Sequence, residues 1–270
     1  MGMHRKSRGA IFAVVVVAAL LPNRIAAAAG GQTLSENIDG EARRVVSSVK
    51  QTSYTHKSNI DPATGVYETD CSGLVDYVLQ TVLPAHLAQI PLRGKEHRQL
   101  AQDYWAAFHA APTTQSVAAV ANDGTGGWAR IEKVADARPG DVLAWKNPAH
   151  EPGDHTNTGH VMIIDEQPRE EPPERDTREE KVRIHRGKIE EKPIKVAAAD
   201  PHRRYRVVVI DCTGSPHASD SRPTGTSGVG RGTIWLDIDN QGEPIAFHWK
   251  LANGTPKEVP IVIGRAVGKE

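Results

Sequence analysis

Glu68-Thr69-Asp70-Cys71-Ser72-Gly73-Leu74-Val75-Asp76-Tyr77-Val78-Leu79 is a polar turn that runs into an apolar-faced helix and puts a cysteine on its first turn. Asp70 is a good N-cap residue. Leu74, Val75, Val78, Leu79 and Val82 recur at helical spacing, and Pro84 forbids continuation. At that position the unpaired backbone N–H groups and the positive end of the macrodipole favour thiolate over thiol, the condition for a cysteine that attacks carbonyl carbons. Cys71 is therefore the candidate nucleophile, weighed against the commoner fate of a free cysteine, burial as a small apolar side chain.

Two downstream segments strengthen that candidacy. Ala137-Arg138-Pro139-Gly140-Asp141-Val142-Leu143-Ala144-Trp145 is a Pro-Gly turn entering a strand, and Thr158-Gly159-His160-Val161-Met162-Ile163-Ile164-Asp165 is a strand that begins with a histidine. The order Asp-Cys-Ser-Gly-Leu-Val, then Pro-Gly-Asp, then Gly-His-Val resembles the NlpC-type cysteine peptidases of bacterial cell walls, over roughly residues 45 to 215. Those are papain-like hydrolases that cut the stems and cross-links of peptidoglycan. The resemblance implies an α+β, papain-like fold with N-terminal helices packed on an antiparallel sheet. It also implies hydrolysis of amide bonds in peptidoglycan stem peptides, including the γ-D-glutamyl to diamino-acid bond, by a Cys71–His160 pair with a third polar residue.

That third residue is commonly a histidine in the family. Here its place, at the end of the apolar strand Arg206-Val207-Val208-Val209-Ile210-Asp211, falls on Asp211. A carboxylate can fill this role, because it accepts a hydrogen bond from one imidazole nitrogen, fixes the tautomer and supports the imidazolium. His217 is the alternative. Cell-wall peptidases of this kind also carry a tyrosine ahead of the nucleophile, with its hydroxyl near the reacting carbonyl. Tyr54 is similar in placement and Tyr67 is its rival; a tyrosine packed at a helix end with its hydroxyl in water is the plainer reading. Ser72, His217, Asp220 and Arg222 are further candidate substrate contacts. Arg222 could take a carboxylate bidentately with Asp220 aiming it, or the two could simply pin a turn.

Met1 to Ala29 has a basic start, an apolar core of 12 residues from Ala10 to Leu21 and an Ala-rich exit. This is the pattern of a secretory signal peptide, and the core is short for a membrane span, which needs about 20 residues. An exported protein of the periplasm or extracellular space is expected, without a membrane span once the leader is removed. The chain has 33 basic and 33 acidic residues; the leader carries Arg5, Lys6, Arg8 and Arg24 and no acid, so the remainder is mildly acidic and has no nucleic-acid footprint. Residues 30–270 read as a single hydrolase domain.

Export allows a disulfide between Cys71 and Cys212, which would silence the nucleophile. Period-two alternation instead turns Cys212 to the face opposite Asp211, so the two thiols are expected to stay apart. The loop between Trp145 and His160 holds His150, Asp154 and His155, which admits a competing zinc hydrolase, but no His-Glu-x-x-His helix or comparable ligand spacing accompanies them. No metal and no cofactor is therefore expected, and Gly225 to Gly232 lack the ending of a phosphate loop.

The remaining expectations are structural. A helix should run from about Leu34 to Lys50 behind the capping-box pattern Thr33-Leu34-Ser35-Glu36, and another should lie between Gly94 and Ala111 with Leu100, Ala101, Tyr104, Trp105 and Phe108 on its core stripe. Trp128 to Val134 is a strand or a turn. A charged insertion at about 166–204 reads as a solvated excursion or a clamp on charged substrate. Strands at Gly232–Ile238, Pro244–Trp249 and Val259–Arg265, the first two joined at Asp239-Asn240-Gln241-Gly242, should complete the sheet. A binding or scaffold protein that kept the fold without turnover is the alternative to the enzyme.

Overall fold

A computed structural model describes residues 33–92, 98–114, 126–148, 157–171, 203–251 and 255–268. Helix α1 (Leu34–Ser48) begins where the sequence requires: Glu36 N–H donates to Thr33 Oγ1 at 3.2 Å, and Thr33 N–H donates back to Glu36 Oε2 at 2.6 Å. Its stripe Ile38, Ala42, Val45 is fully buried. The chain then makes three short strands that the sequence did not announce, β1 (Gln51–Tyr54), β2 (Asn59–Asp61) and β3 (Val66–Thr69). They form a separate small sheet in which β3 lies between β1, parallel to it, and β2, antiparallel. Strands this short, of mixed polarity, leave too little alternation to read.

Helix α2 (Cys71–Val82) follows β3 after a single residue, Asp70. Leu74, Val75, Val78 and Leu79 are fully buried, each side chain contributing on the order of 1.5–3 kcal/mol by its removal from water. Pro84 stops this helix and also opens the next, the single turn α3 (Pro84–Leu87), where a missing N–H costs nothing. Helix α4 (Ala101–Ala110) buries Tyr104 and Phe108, as its stripe predicts.

Eight strands form the main path of the large sheet: β4 (Gly127–Ile131), β5 (Val142–Lys146), β6 (Gly159–Ile164), β8 (Arg203–Thr213), β9 (Gly228–Ile238), β10 (Pro244–His248), β11 (Lys257–Glu258) and β12 (Ile261–Val267). Their order is β11-β10-β9-β8-β6-β5-β12-β4, every pair antiparallel, and β7 (Arg169–Glu171) pairs with the start of β8. The fold is thus α+β, helices on a large antiparallel sheet. The tail strands complete the sheet as expected, and the Asp239 turn closes with Asp239 N–H donating to Glu243 O at 3.0 Å. Both ends of the charged insertion are strand, β7 and the first residues of β8, with Arg169, Glu170 and Arg203 exposed; residues 172–202 between them lie outside the described residues, as does the leader.

Period-two alternation sorts the central strands onto two cores. Val161, Ile163, Ile210 and Cys212 pack with α1, α2 and α4 on one face; Met162, Ile164, Val207 and Val209 pack with Trp145, Leu236 and Phe247 on the other. The described residues belong to one compact unit, Gln32–Glu270. No helix among them is long and apolar enough to cross a membrane.

Candidate active site

Cys71 is the first residue of α2 and is largely buried. Asp70, in extended backbone at the N-cap, accepts from Gly73 N–H at 2.9 Å through Oδ1. Gly73 is needed for close approach: a Cβ there would collide with Thr69 Oγ1 and stand 2.9 Å from Ser58 Oγ. The Asp70 carboxylate is bound by Arg98 in a fork, Nη1 to Oδ1 at 2.8 Å and Nη2 to Oδ2 at 2.6 Å, with His56 Nδ1 at 3.1 Å from Oδ2. Burial pushes this carboxyl up, but Arg98 and the Gly73 N–H outweigh burial and hold it below the usual carboxylate range. Ser72 belongs to the same cluster. Its hydroxyl donates to Asp70 Oδ1 at 3.2 Å and accepts from Arg98 Nη1 at 3.0 Å in the interior.

The histidine arrives from the sheet. Gly159, at φ 132°, lets β6 begin beside Trp145, whose carbonyl oxygen a Cβ at this position would overlap, and the register sets His160 opposite Trp145. His160 Nε2 lies 2.6 Å from Asp211 Oδ2. A charged carboxylate only accepts, so Nε2 carries the proton and Nδ1 is the nitrogen left for the Cys71 thiol. Burial would lower the basicity of His160. The charge of Cys71, a hydrogen bond to its sulfur, and Asp211 reverse that and raise it to about 10.

Asp211, fully buried on β8, takes three donors. Besides His160 it accepts from His217 Nε2 at 2.9 Å on the same Oδ2, and from Arg222 Nη2 at 3.0 Å on Oδ1. Desolvation opposes its charge, yet the two imidazoles hold its pKa well below the ordinary value. His217 thus does not replace Asp211 at His160. It contacts the same carboxylate oxygen as His160, buried, with its ring 4.0 Å from that of Trp249.

Arg222 and Asp220 lie in the same buried cluster. Arg222 is 6% exposed, and its guanidinium donates to Asp220 Oδ1 and Oδ2 at 2.8 and 2.7 Å, to Gly228 O at 2.7 Å and to Asp211. Asp220 Oδ2 also accepts from His217 N–H at 2.7 Å. These donors are turned inward, onto the loop and the carboxylate behind His160, rather than toward a substrate.

Tyr54 is half-buried at the end of β1, near Cys71 and Asp70, and burial together with their charges raises its phenol above the ordinary value. Tyr67, its rival, is fully buried with its hydroxyl 2.8 Å from Ser48 Oγ. Cys71 and Cys212 are both free thiols, and Cys212 Sγ donates to Thr69 O at 3.0 Å in the helix-side core. His150, Asp154 and His155 lie outside the described residues. Sequence reasoning missed Arg98 and Trp249. A buried acidic N-cap calls for a cation, but nothing in the sequence says which one; Trp249 has no local signal beyond ending an apolar strand.

No family model matches the chain, and no solved structure matches it. The chain is 28% identical over 205 residues, covering 73% of its own length and 77% of the relative's, to an uncharacterized protein of Acanthamoeba polyphaga mimivirus.

Proposed function

We propose that this chain is a papain-like cysteine hydrolase of amide bonds, with Cys71 as nucleophile, His160 as base and then acid, and Asp211 as the group that orients the imidazole. One observation carries the reading. His160 Nε2 is fixed to a buried carboxylate at 2.6 Å, which leaves Nδ1 for a cysteine at a helix N-terminus. Cys71 gives its proton to Nδ1 and its sulfur adds to the carbonyl carbon. The oxyanion is met by the Cys71 backbone N–H and the Tyr54 hydroxyl, and His160 returns the proton to the leaving amine as the thioester forms. Water, activated by the same imidazole, then hydrolyses the thioester and frees Cys71.

The substrate class follows from the resemblance of the Asp-Cys-Ser-Gly and Gly-His-Val segments: stem peptides of peptidoglycan, met by an exported enzyme. Purified protein incubated with purified peptidoglycan should release stem-peptide fragments detectable by mass spectrometry, and Cys71→Ala should release none. Equal release by both proteins refutes the nucleophile. No release by a folded parent favours a binding protein that kept the fold.

A further inference from the structure

We propose that His217 is a positioning residue that acts on His160 through Asp211: by donating to the same carboxylate oxygen, it divides that oxygen between two imidazoles. The inference rests on the reading of Cys71 and His160 as the reacting pair, and assigns His217 neither to the substrate nor to the third place in the triad. Its ground is geometric. Asp211 Oδ2 lies 2.6 Å from His160 Nε2 and 2.9 Å from His217 Nε2, while Oδ1 is held by Arg222 Nη2 at 3.0 Å. The carboxylate cannot rotate to favour one ring without breaking a bond on its other oxygen.

The seat of His217 is made to fit. Its backbone N–H is fixed by Asp220 Oδ2, its ring lies on Trp249, and β9 offers Gly232, where a Cβ would come within 2.7 Å of His217 Cβ. The charged and titratable groups facing it are Asp211 from β8, His160 from β6 across the shared oxygen, and Asp220 and Arg222 from its own loop. His217 Nδ1 is buried with no partner among the described residues, so within them the Nε2 bond to Asp211 is the ring's only hydrogen bond. A buried imidazole of this kind contributes one thing to the site, a single N–H aimed at the oxygen that His160 uses.

An acceptor shared by two donors gives each less than it would give one. The competition tempers the support Asp211 lends to the His160 imidazolium, whose other attraction is the charge of Cys71. That matters for turnover, because His160 must release the proton it has taken: an imidazole held too firmly as a cation is a poor acid toward the leaving amine.

The test follows His160 itself. Ring ¹⁵N spectra of the full chain give its titration midpoint in the parent, in His217→Phe, which keeps the packing on Trp249 but donates nothing, and in His217→Gln, whose amide nitrogen can donate. The phenylalanine variant should raise the midpoint by about half to one unit, the worth of one modest hydrogen bond, and the glutamine variant should return it to the parental value. An unmoved or lowered midpoint in a folded phenylalanine variant overturns the proposal, as does a glutamine variant that behaves like phenylalanine. Should phenylalanine not fold, His217→Ala carries the same readout. Iodoacetamide labelling of the parent separates the two readings. A slow Cys71 would sink the nucleophile, whereas a fast Cys71 with an unmoved His160 would sink the role of His217 alone.

Discussion

Asp211→Asn probes the site most directly, because the carboxylate serves three donors at once. The amide keeps one accepting oxygen and presents an NH₂ at the other. If its oxygen faces the two imidazoles, a single donor clash remains, with Arg222 Nη2, and Arg222 keeps Asp220 and Gly228 O. With the oxygen toward Arg222, the NH₂ meets two Nε2–H groups, and both rings must change tautomer. The first arrangement is therefore the one expected: His160 keeps Nδ1 as acceptor and loses only the charge behind it. Turnover should fall by about 10²–10⁴, the range for impaired general acid–base catalysis and no more than an amide costs in a Ser-His-Asp triad. Losing the Arg222 bond to a charged acceptor costs about 1.5–3 kcal/mol, and in a chain of this size each kcal/mol moves the Tm by about 2–4 °C, so a drop of roughly 3–12 °C should accompany it. The assay is release of stem-peptide fragments at a temperature where the variant is folded, alongside its melting curve. Parental turnover in a folded Asp211→Asn variant would refute Asp211 as the orienting group, whatever the change in Tm.

Two further outcomes follow from the same geometry. Iodoacetamide should label Cys71 well ahead of Cys212 near neutral pH, since burial and the Asp211 charge push the Cys212 thiol up, and mass spectrometry of the labelled peptides reads the order; preferential labelling of Cys212 refutes it. Because the folded value for His160, about 10, lies above the unfolded 6.5, its contribution to stability is fully present below about pH 6.5 and is lost as pH rises toward 10. Urea midpoints of the parent should accordingly fall between about pH 7 and 10 more steeply than those of Cys71→Ala, which lacks the sulfur; parallel curves would refute the pairing.

The legible parts of this chain were those where one residue's chemistry decides a local conformation. Thr33 with Glu36 announced α1, Asp70 and Pro84 bracketed α2, and the apolar runs around Val161 and Val207 announced buried strands. The candidate pair was legible for the same reason, since a cysteine after an N-cap aspartate and a histidine after a glycine at a strand start are local patterns. What stayed hidden depends on contacts between distant segments. Asp220 and Arg222 have the composition of a surface ion pair, and only the packing of their loop on β8 and β9 turns them inward to a buried carboxylate. Arg98 reaches Asp70 across 28 positions and from outside any helix, so no spacing rule could pair them.

Arg98 and Arg222 answer one electrostatic problem met twice. A thiolate–imidazolium pair is stabilised by a helix N-terminus on one side and a carboxylate on the other, but each support brings a cost. The cap of α2 is itself an aspartate, and a bare Asp70 charge beside Cys71 would oppose the field of the helix N–H groups. Arg98, forked onto both oxygens of Asp70, cancels that charge and leaves the cap's hydrogen bond to Gly73 in place. On the sheet side, a fully buried Asp211 facing a neutral imidazole would be driven to protonate, and a protonated acid could not fix the tautomer of His160. His160 and His217 on the shared oxygen, with Arg222 Nη2 on the other, hold that carboxylate charged, and Asp220 in turn pairs with Arg222. Asp70 and Asp211 thus each have a guanidinium donor, and on the proposed reading the proton transfer this arrangement serves is the one between Cys71 and His160.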